Sequence, residues 1–254
     1  MKVQDKDEER RFSDEYVTRT GGYHTYGEDL MQLFDSLGIS SQPRDSLILD
    51  AGCGTGKCTT AMAKMGFKVV GVDISEKAIE FAKQTEENDK LDIDYSVQDL
   101  ESLPFEDNKF DIVFCGGVLH HFPNLIKAEE ELFRVLKPKG IFCAYETNKS
   151  NPVTFVLFTL ADLARRILPI AYVKREFSIN ERALSIKELE GSLKSTGFSQ
   201  LKFDSINIRN KSKDDTQALQ RTIRNTLNFL CENLCPPLSR GRHLVISCVK
   251  EANE

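Results

Sequence analysis

The chain has 254 residues, 40% hydrophobic and 29% charged, with a formal net charge of −5, enough to bury a substantial core as one domain with an inserted cap. The acidic balance gives no general pull toward nucleic acid, and no run approaches the roughly 20 apolar residues of a membrane span. Seven cysteines, scattered and without a Cys-x-x-Cys pair, predict free thiols in a reducing cytoplasm, no iron–sulfur cluster and no metal site.

Residues 1–12 are charged, polar to Arg11 and unlike a signal peptide, and are expected to be frayed. Residues 12–26 are rich in aromatic and polar side chains, among them Tyr16, Arg19 and Tyr23. An amphipathic helix follows, with Leu30, Leu33, Phe34 and Leu37 on one face and Gly38 as its stop. The apolar run Leu47-Ile48-Leu49 then reads as a buried strand, the glycine-rich segment through Gly56 as a tight turn, and the stretch after it as a helix. Glycine at 52, 54 and 56 admits backbone angles closed to other residues and leaves room for a ligand against the main chain, toward which the amides of the helix start point. A phosphate-binding P-loop is excluded, because Ala51 stands at its first glycine and Cys58 at its Ser/Thr. The dinucleotide fingerprint fails as well, because its sixth position is Lys57.

Residues 68–73 read as a second buried strand ending in Asp73, 21 residues beyond Gly52. In nucleoside-binding sheets an acid at this place accepts from both ribose hydroxyls, two oxygens serving two adjacent donors. Ile74 adjoins it, and Ser75 caps a helix over 76–84. A third strand over 93–97 leads to Gln98-Asp99-Leu100. Leu103-Pro104-Phe105 opens a turn before a fourth strand that ends at Cys115-Gly116-Gly117. A helix after Val118-Leu119-His120-His121 ends in Arg134-Val135-Leu136-Lys137-Pro138-Lys139-Gly140, and 141–145 is a fifth strand. Strand–helix alternation implies a parallel sheet with helices on both faces and its ligand at the carboxyl ends of the strands.

Asp50-x-Gly52-x-Gly54-x-Gly56 resembles motif I of the class I S-adenosylmethionine (SAM)-dependent methyltransferases. Residues 103–111 resemble the LPF-x-D-x-x-FD signature, and residues 134–140 the R-x-LKPGG element, of small-molecule enzymes similar to the ubiquinone/menaquinone C-methyltransferase-like (methyltransferase type 11) group. Lys139 replaces one glycine of the latter. The resemblance covers residues 47–145. It implies a doubly wound, mostly parallel seven-stranded Rossmann-like α/β sheet with an antiparallel last strand and a helical cap. It further implies SAM as cofactor, S-adenosylhomocysteine as product, and Asp50, the three glycines, Asp73 and Ile74 around it. Asp99 would accept from the adenine amine, Leu100 would lie near the ring, and the backbone at Cys115 would face the sulfonium. The N-terminal segment would fold over the cofactor and bring Tyr16 and Arg19 to its carboxylate, with Tyr23 toward the substrate.

From Glu146 the pattern changes. The expected organisation is one domain: an N-terminal lid over 1–45, a SAM-binding core over 46–150, a substrate cap over 151–184, and the rest of the sheet over 185–254 with a helical insert at 208–242. Asn151-Pro152 breaks the chain. Residues 153–172 are apolar with Asp162, Arg165 and Arg166 at helical spacing, and three readings compete for them: a cap on the substrate pocket, a homodimer contact, and a helix lying on a membrane surface. Lys174, Arg175 and Arg182 read as a solvated loop. A helix follows the capping box Ser185-x-x-Glu188 and stops at Gly197-Phe198, before strands over 201–207 and 243–250. The insert carries a stripe of Leu219, Ile223, Leu227, Leu230 and Leu234, read as a packed helix or an oligomer contact.

Methyl transfer from a sulfonium is a direct displacement, so alignment and exclusion of water are the main tasks. A base is needed only where the acceptor must lose a proton. His121 and then His120 are the candidates, because imidazole accepts a proton near neutrality; Tyr23 and Tyr145 are weaker ones, and Glu146 is placed to orient an acceptor. The reading is a SAM-dependent methyltransferase of a small, apolar or amphiphilic molecule. Its rivals are an RNA or protein methyltransferase and a non-catalytic SAM-binding partner subunit.

Overall fold

Leu47–Ala51 (β1), Lys68–Asp73 (β2) and Phe110–Gly116 (β4) are buried along nearly their whole length, as strands covered by helices on both faces must be. The computed structural model describes residues 5–20, 29–89, 91–156, 159, 182, 184–207, 235–241 and 243–252. With Asp94–Val97 (β3), Leu136–Thr147 (β5), Phe198–Ile206 (β6) and His243–Lys250 (β7) these strands form one sheet in the order β3-β2-β1-β4-β5-β7-β6. Strands β1 to β5 pair in parallel, while β7 runs antiparallel to both β5 and β6. The order reverses at β1, which opens a crevice between β1 and β4 at their carboxyl ends.

Alternate residues of the central strands enter opposite layers. Leu49, Val113 and Phe142 pack with the helices Leu125–Val135 (α5) and Ile186–Thr196 (α6). Ile48, Ile112 and Phe114 pack with Asp29–Ser36 (α2) and Lys57–Lys64 (α3). Leu30, Leu33, Phe34 and Leu37 are buried as their spacing predicts, and Gly38 adopts the left-handed φ that ends the segment. Ser75 accepts from the amide of Ala78 to start Glu76–Asp89 (α4), and Ser185 accepts from Glu188 to start α6.

The paired motifs at 103–111 and 134–140 have a local physical cause. Arg134 donates to the carbonyls of Phe105 (2.7 Å) and Leu103 (3.0 Å) and to Asp107, while its Nε and Nη2 donate to the two carboxylate oxygens of Glu131 at 2.8 Å each. A guanidinium offers five donors in a fixed fork, so one side chain pins the loop before β4 to the end of α5. Lys250 closes the same helix end, donating to the carbonyls of Phe133 and Leu136 at 2.8 Å each.

Three expectations are corrected. Residues 6–12 are not frayed: Lys6–Thr20 (α1) is helical, with Asp7, Glu8 and Glu9 in its first turn and Arg19 in its last, charges that suit the helix dipole. Strand β5 starts at Leu136, immediately after α5, with Lys139 at φ 64° absorbing the bend where glycine would be usual. Asn151-Pro152 starts a helix, since the Asn151 side chain accepts from the amides of Val153 and Thr154 (3.1 Å each) and residues 152–156 are helical. Most of the 153–172 segment, Lys174, Arg175, Tyr23 and the 208–242 stripe lie outside the described residues. Phe155 and Val156, at the start of the apolar segment, are 53% and 52% exposed. Among the described residues no helix is long and apolar enough to cross a membrane.

Candidate functional site

The crevice at the carboxyl ends of the strands holds a cavity of about 390 Å³, within the size range of small-molecule sites. Its floor is the turn after β1. Amides of Gly52 and Cys53 donate to the carbonyl of Val72 (2.8 and 2.9 Å), stitching the turn to β2, and Gly52, Gly54 and Gly56 all have positive φ. The three glycines do different work. Gly52 and Gly54 border the cavity. Gly56 does not; a Cβ there would lie 2.4 Å from the Tyr95 hydroxyl, so this glycine makes room for a protein side chain.

Asp50 borders the cavity but is 1% exposed and accepts from the Thr59 hydroxyl at 2.6 Å, tying β1 to α3. Burial pushes its carboxyl up to about 7, against the Thr59 hydrogen bond. Asp73 borders the cavity at the end of β2. One of its oxygens accepts from the amide of Gly54 and the other from that of Ser75, both at 2.9 Å. A carboxylate has about four lone-pair sites, so each oxygen retains acceptor capacity for a vicinal diol. Burial raises the Asp73 carboxyl, and these two amides oppose that shift. Ile74, Asp99 and Leu100 border the same end.

Helix α1 covers this end, and its contacts carry no sequence signal because they are polar and distant. Lys6 pairs with Asp99 and, at 2.7 Å, with Glu101; Arg10 donates to the carbonyl of Ile74 at 3.3 Å; Asp14 accepts from Ser75. Phe12, Tyr16 and Val17 face the cavity, whereas Arg19 is exposed, lies beside the Tyr16 ring and does not border it. Glu9, which carries no sequence signal, is 6% exposed and meets Nδ1 of His121 at 2.8 Å. Lys57, whose sequence position only breaks a dinucleotide fingerprint, is a cation on the cavity wall.

At the other end, Gly116 and Gly117 border the cavity rather than Cys115, which is fully buried behind them. His120 and His121 follow in a 3-10 turn (Leu119–His121) with ring centroids 4.1 Å apart. Tyr145 and Thr147 of β5 and His243 of β7 complete this wall, Thr147 pairing with His243 across the antiparallel ladder. All three described histidines thus border one cavity. Glu146 does not border it. Its carboxylate is wholly buried and accepts from Nδ1 of His120 (2.7 Å) and from the amides of Val118 (3.0 Å) and Leu119 (2.7 Å). Arg182 is no solvated loop residue: it donates to the carbonyls of His120 and Phe122 at 3.2 Å and pairs with Glu188.

The cavity thus lies at the reversal point of a doubly wound sheet, with the Asp73 carboxyl at one end and imidazoles at the other. Among the described residues the carboxyl groups of Glu9, Asp50, Asp73 and Asp99 and the ammonium of Lys57 border the cavity. The chain is matched over residues 49–144 by the family model described as methyltransferase domain. It is 34% identical over 122 residues to the ubiquinone biosynthesis O-methyltransferase of Coxiella burnetii, covering 48% of this chain and 52% of that protein. The match therefore spans about half the length of that curated relative. Among solved structures, a SAM-dependent methyltransferase of Thermotoga maritima superposes with a TM-score of 0.64 at 19% identity, over 96% of this chain and 99% of that one. Phosphoethanolamine N-methyltransferase 2 of Haemonchus contortus, in complex with SAM, gives a TM-score of 0.63 at 18% identity, over 89% of this chain and 53% of that one. At these identities the two structures establish the fold.

Proposed function

We propose that the chain transfers the methyl group of SAM to a small-molecule acceptor with an apolar or amphiphilic body. The observation that carries this reading is one cavity holding both the Asp73 end and the His120–Tyr145–His243 end, with Phe12, Phe114, Val118 and Phe122 between them. The cofactor supplies an electrophilic methyl on a sulfonium whose charge disperses as the bond breaks. Asp73 takes the ribose hydroxyls, Ile74 and Leu100 flank the adenine, and Asp99 turns from Lys6 to the adenine amine or accepts from both. Lys57 offers a charge for the cofactor's carboxylate. Helix α1, through Phe12 and Val17, excludes water from the reacting atoms, where each polar contact strengthens as the dielectric falls. Tyr145 lines the acceptor's place. The six cysteines described are all free thiols, which suits a reducing compartment.

The test is transfer of labelled methyl from SAM by the full chain into fractionated extract. Label in an organic-extractable small-molecule pool is the expected result. Label confined to RNA or protein would replace the acceptor class, and no label in any pool would favour a non-catalytic SAM-binding subunit.

A further inference from the structure

We infer that Glu146 is a positioning residue that fixes the tautomer of His120 and so makes Nε2 of His120, rather than His121, the base for an acceptor hydroxyl; this rests on the function proposed above. One oxygen of Glu146 is saturated by two backbone amides, and the other faces Nδ1 of His120 at 2.7 Å. An ionised carboxylate only accepts, so Nδ1 carries the hydrogen and the lone pair of the neutral ring belongs to Nε2. The pair is held rigidly. Glu146 lies within β5, where it pairs with Leu244, and the main chain of His120 is gripped by Arg182. A buried carboxylate behind an imidazole also stabilises the imidazolium formed once a proton arrives, the logic of an acid–histidine pair in general base catalysis.

His121 has a different setting. Its Nδ1 meets Glu9 of α1, which makes it an anchor for the covering helix. Among the described residues the ionisable groups near His120 include Glu146 on β5, His121 beside it, and Tyr145 and His243 on the same cavity wall. The chemical class follows from proton affinities. An amine attacks without prior deprotonation, whereas a hydroxyl must lose its proton as it attacks, and a phenolic hydroxyl gives its proton to an imidazole more readily than an aliphatic one. A phenolic hydroxyl, near pH 10, lies only about 3.5 units above an ordinary histidine. In the step, an oxygen lone pair of the acceptor forms the new O–CH3 bond. The C–S bond pair returns to sulfur, leaving a neutral thioether, and the O–H proton passes to Nε2 of His120.

The test uses Glu146→Gln in the full chain. The amide oxygen of glutamine can still accept from Val118 and Leu119, but its NH2 would donate to Nδ1, so His120 must hold its proton on Nε2. Nitrogen-15 NMR of histidine-labelled protein should show an Nδ1–H ring in the wild type and an Nε2–H ring in the variant. With S-adenosylhomocysteine bound, 4-nitrocatechol should show its phenolate band in wild type below its free ionisation pH, and lose it in Glu146→Gln and His120→Asn. Turnover with catechol should fall at least about a hundredfold in both variants, while calorimetry gives S-adenosylhomocysteine affinity within threefold of wild type. A wild-type His120 protonated on Nε2 would overturn the inference, and so would a neutral-phenol spectrum for the wild type. Should Glu146→Gln fail to fold, the wild-type tautomer and the His120→Asn spectrum decide. Absence of S-adenosylhomocysteine binding by the wild type would overturn the proposed function instead, and the tautomer would still be read.

Discussion

Replacing Gly56 by alanine separates two uses of glycine in the turn after β1. At φ 78° a Cβ incurs the left-handed penalty of about 1–2 kcal/mol. It would also stand 2.4 Å from the Tyr95 hydroxyl and 3.0 Å from both the Tyr95 ring and the Ala82 Cβ. Tyr95 is 3% exposed, so its ring has little space to retreat, and overpacking of this kind costs about 1–3 kcal/mol. The sum, roughly 2–5 kcal/mol, corresponds to a fall in Tm of about 5–15 °C for a domain of this size. Thermal unfolding followed by circular dichroism measures it. Tyr95→Phe removes the closest contact, together with the hydroxyl's long hydrogen bond to the Gly56 carbonyl (3.5 Å) and its bonds to Thr59 and Thr60. Added to Gly56→Ala, it should therefore restore part of the packing loss and none of the backbone penalty. If Gly56→Ala leaves Tm unchanged while weakening S-adenosylhomocysteine binding tenfold, Gly56 serves the ligand and the reasoning fails.

Other changes probe the rest of the molecule. Asp73→Asn should weaken S-adenosylhomocysteine binding by roughly 10–100-fold in calorimetry, since it trades a charged acceptor for a neutral one; equal affinity removes the ribose role. Burial lifts the Glu129 carboxyl from 4.5 to about 7, against hydrogen bonds from Ser192 and Thr196, so its contribution to stability is full below pH 4.5 and lost as pH rises through 7. Glu129→Gln should thus raise stability at pH 8 by up to about 3 kcal/mol and leave it nearly unchanged at pH 4.5; parallel Tm curves for the two proteins would refute this. Lys250→Met strips charged donors from the carbonyls of Phe133 and Leu136 and should cost about 2–4 kcal/mol with cofactor affinity intact. A loss of affinity would tie that distant lysine to the site.

The cofactor half was legible because its signals are local. Apolar runs bounded by glycine specify β1, β2 and the turn between β1 and α3, and the acid closing β2 follows within one βαβ unit. Arg134 and the loop it grips were visible only as two motifs, and their connection needed the fold. What escaped the sequence is polar pairing across distance. Lys6 and Asp99 are 93 positions apart, His120 and Glu146 26 apart, and neither pair has an apolar periodicity to betray it. A charged first turn such as that of α1 reads as frayed chain until the carboxylates and carbonyls at the sheet's rim supply its partners. Gly56 illustrates the opposite error: the spacing fits a ligand turn, yet only packing reveals that Tyr95 fills the space.

The most direct measurement is a calorimetric titration of the full chain with S-adenosylhomocysteine, repeated in the presence of ATP and of NAD. A cavity bordered by the carboxyl groups of Glu9, Asp50, Asp73 and Asp99 should bind the thioether nucleoside at one site per chain, with neither polyphosphate shifting the curve. No heat with S-adenosylhomocysteine, or its displacement by ATP, would contradict the account at its root.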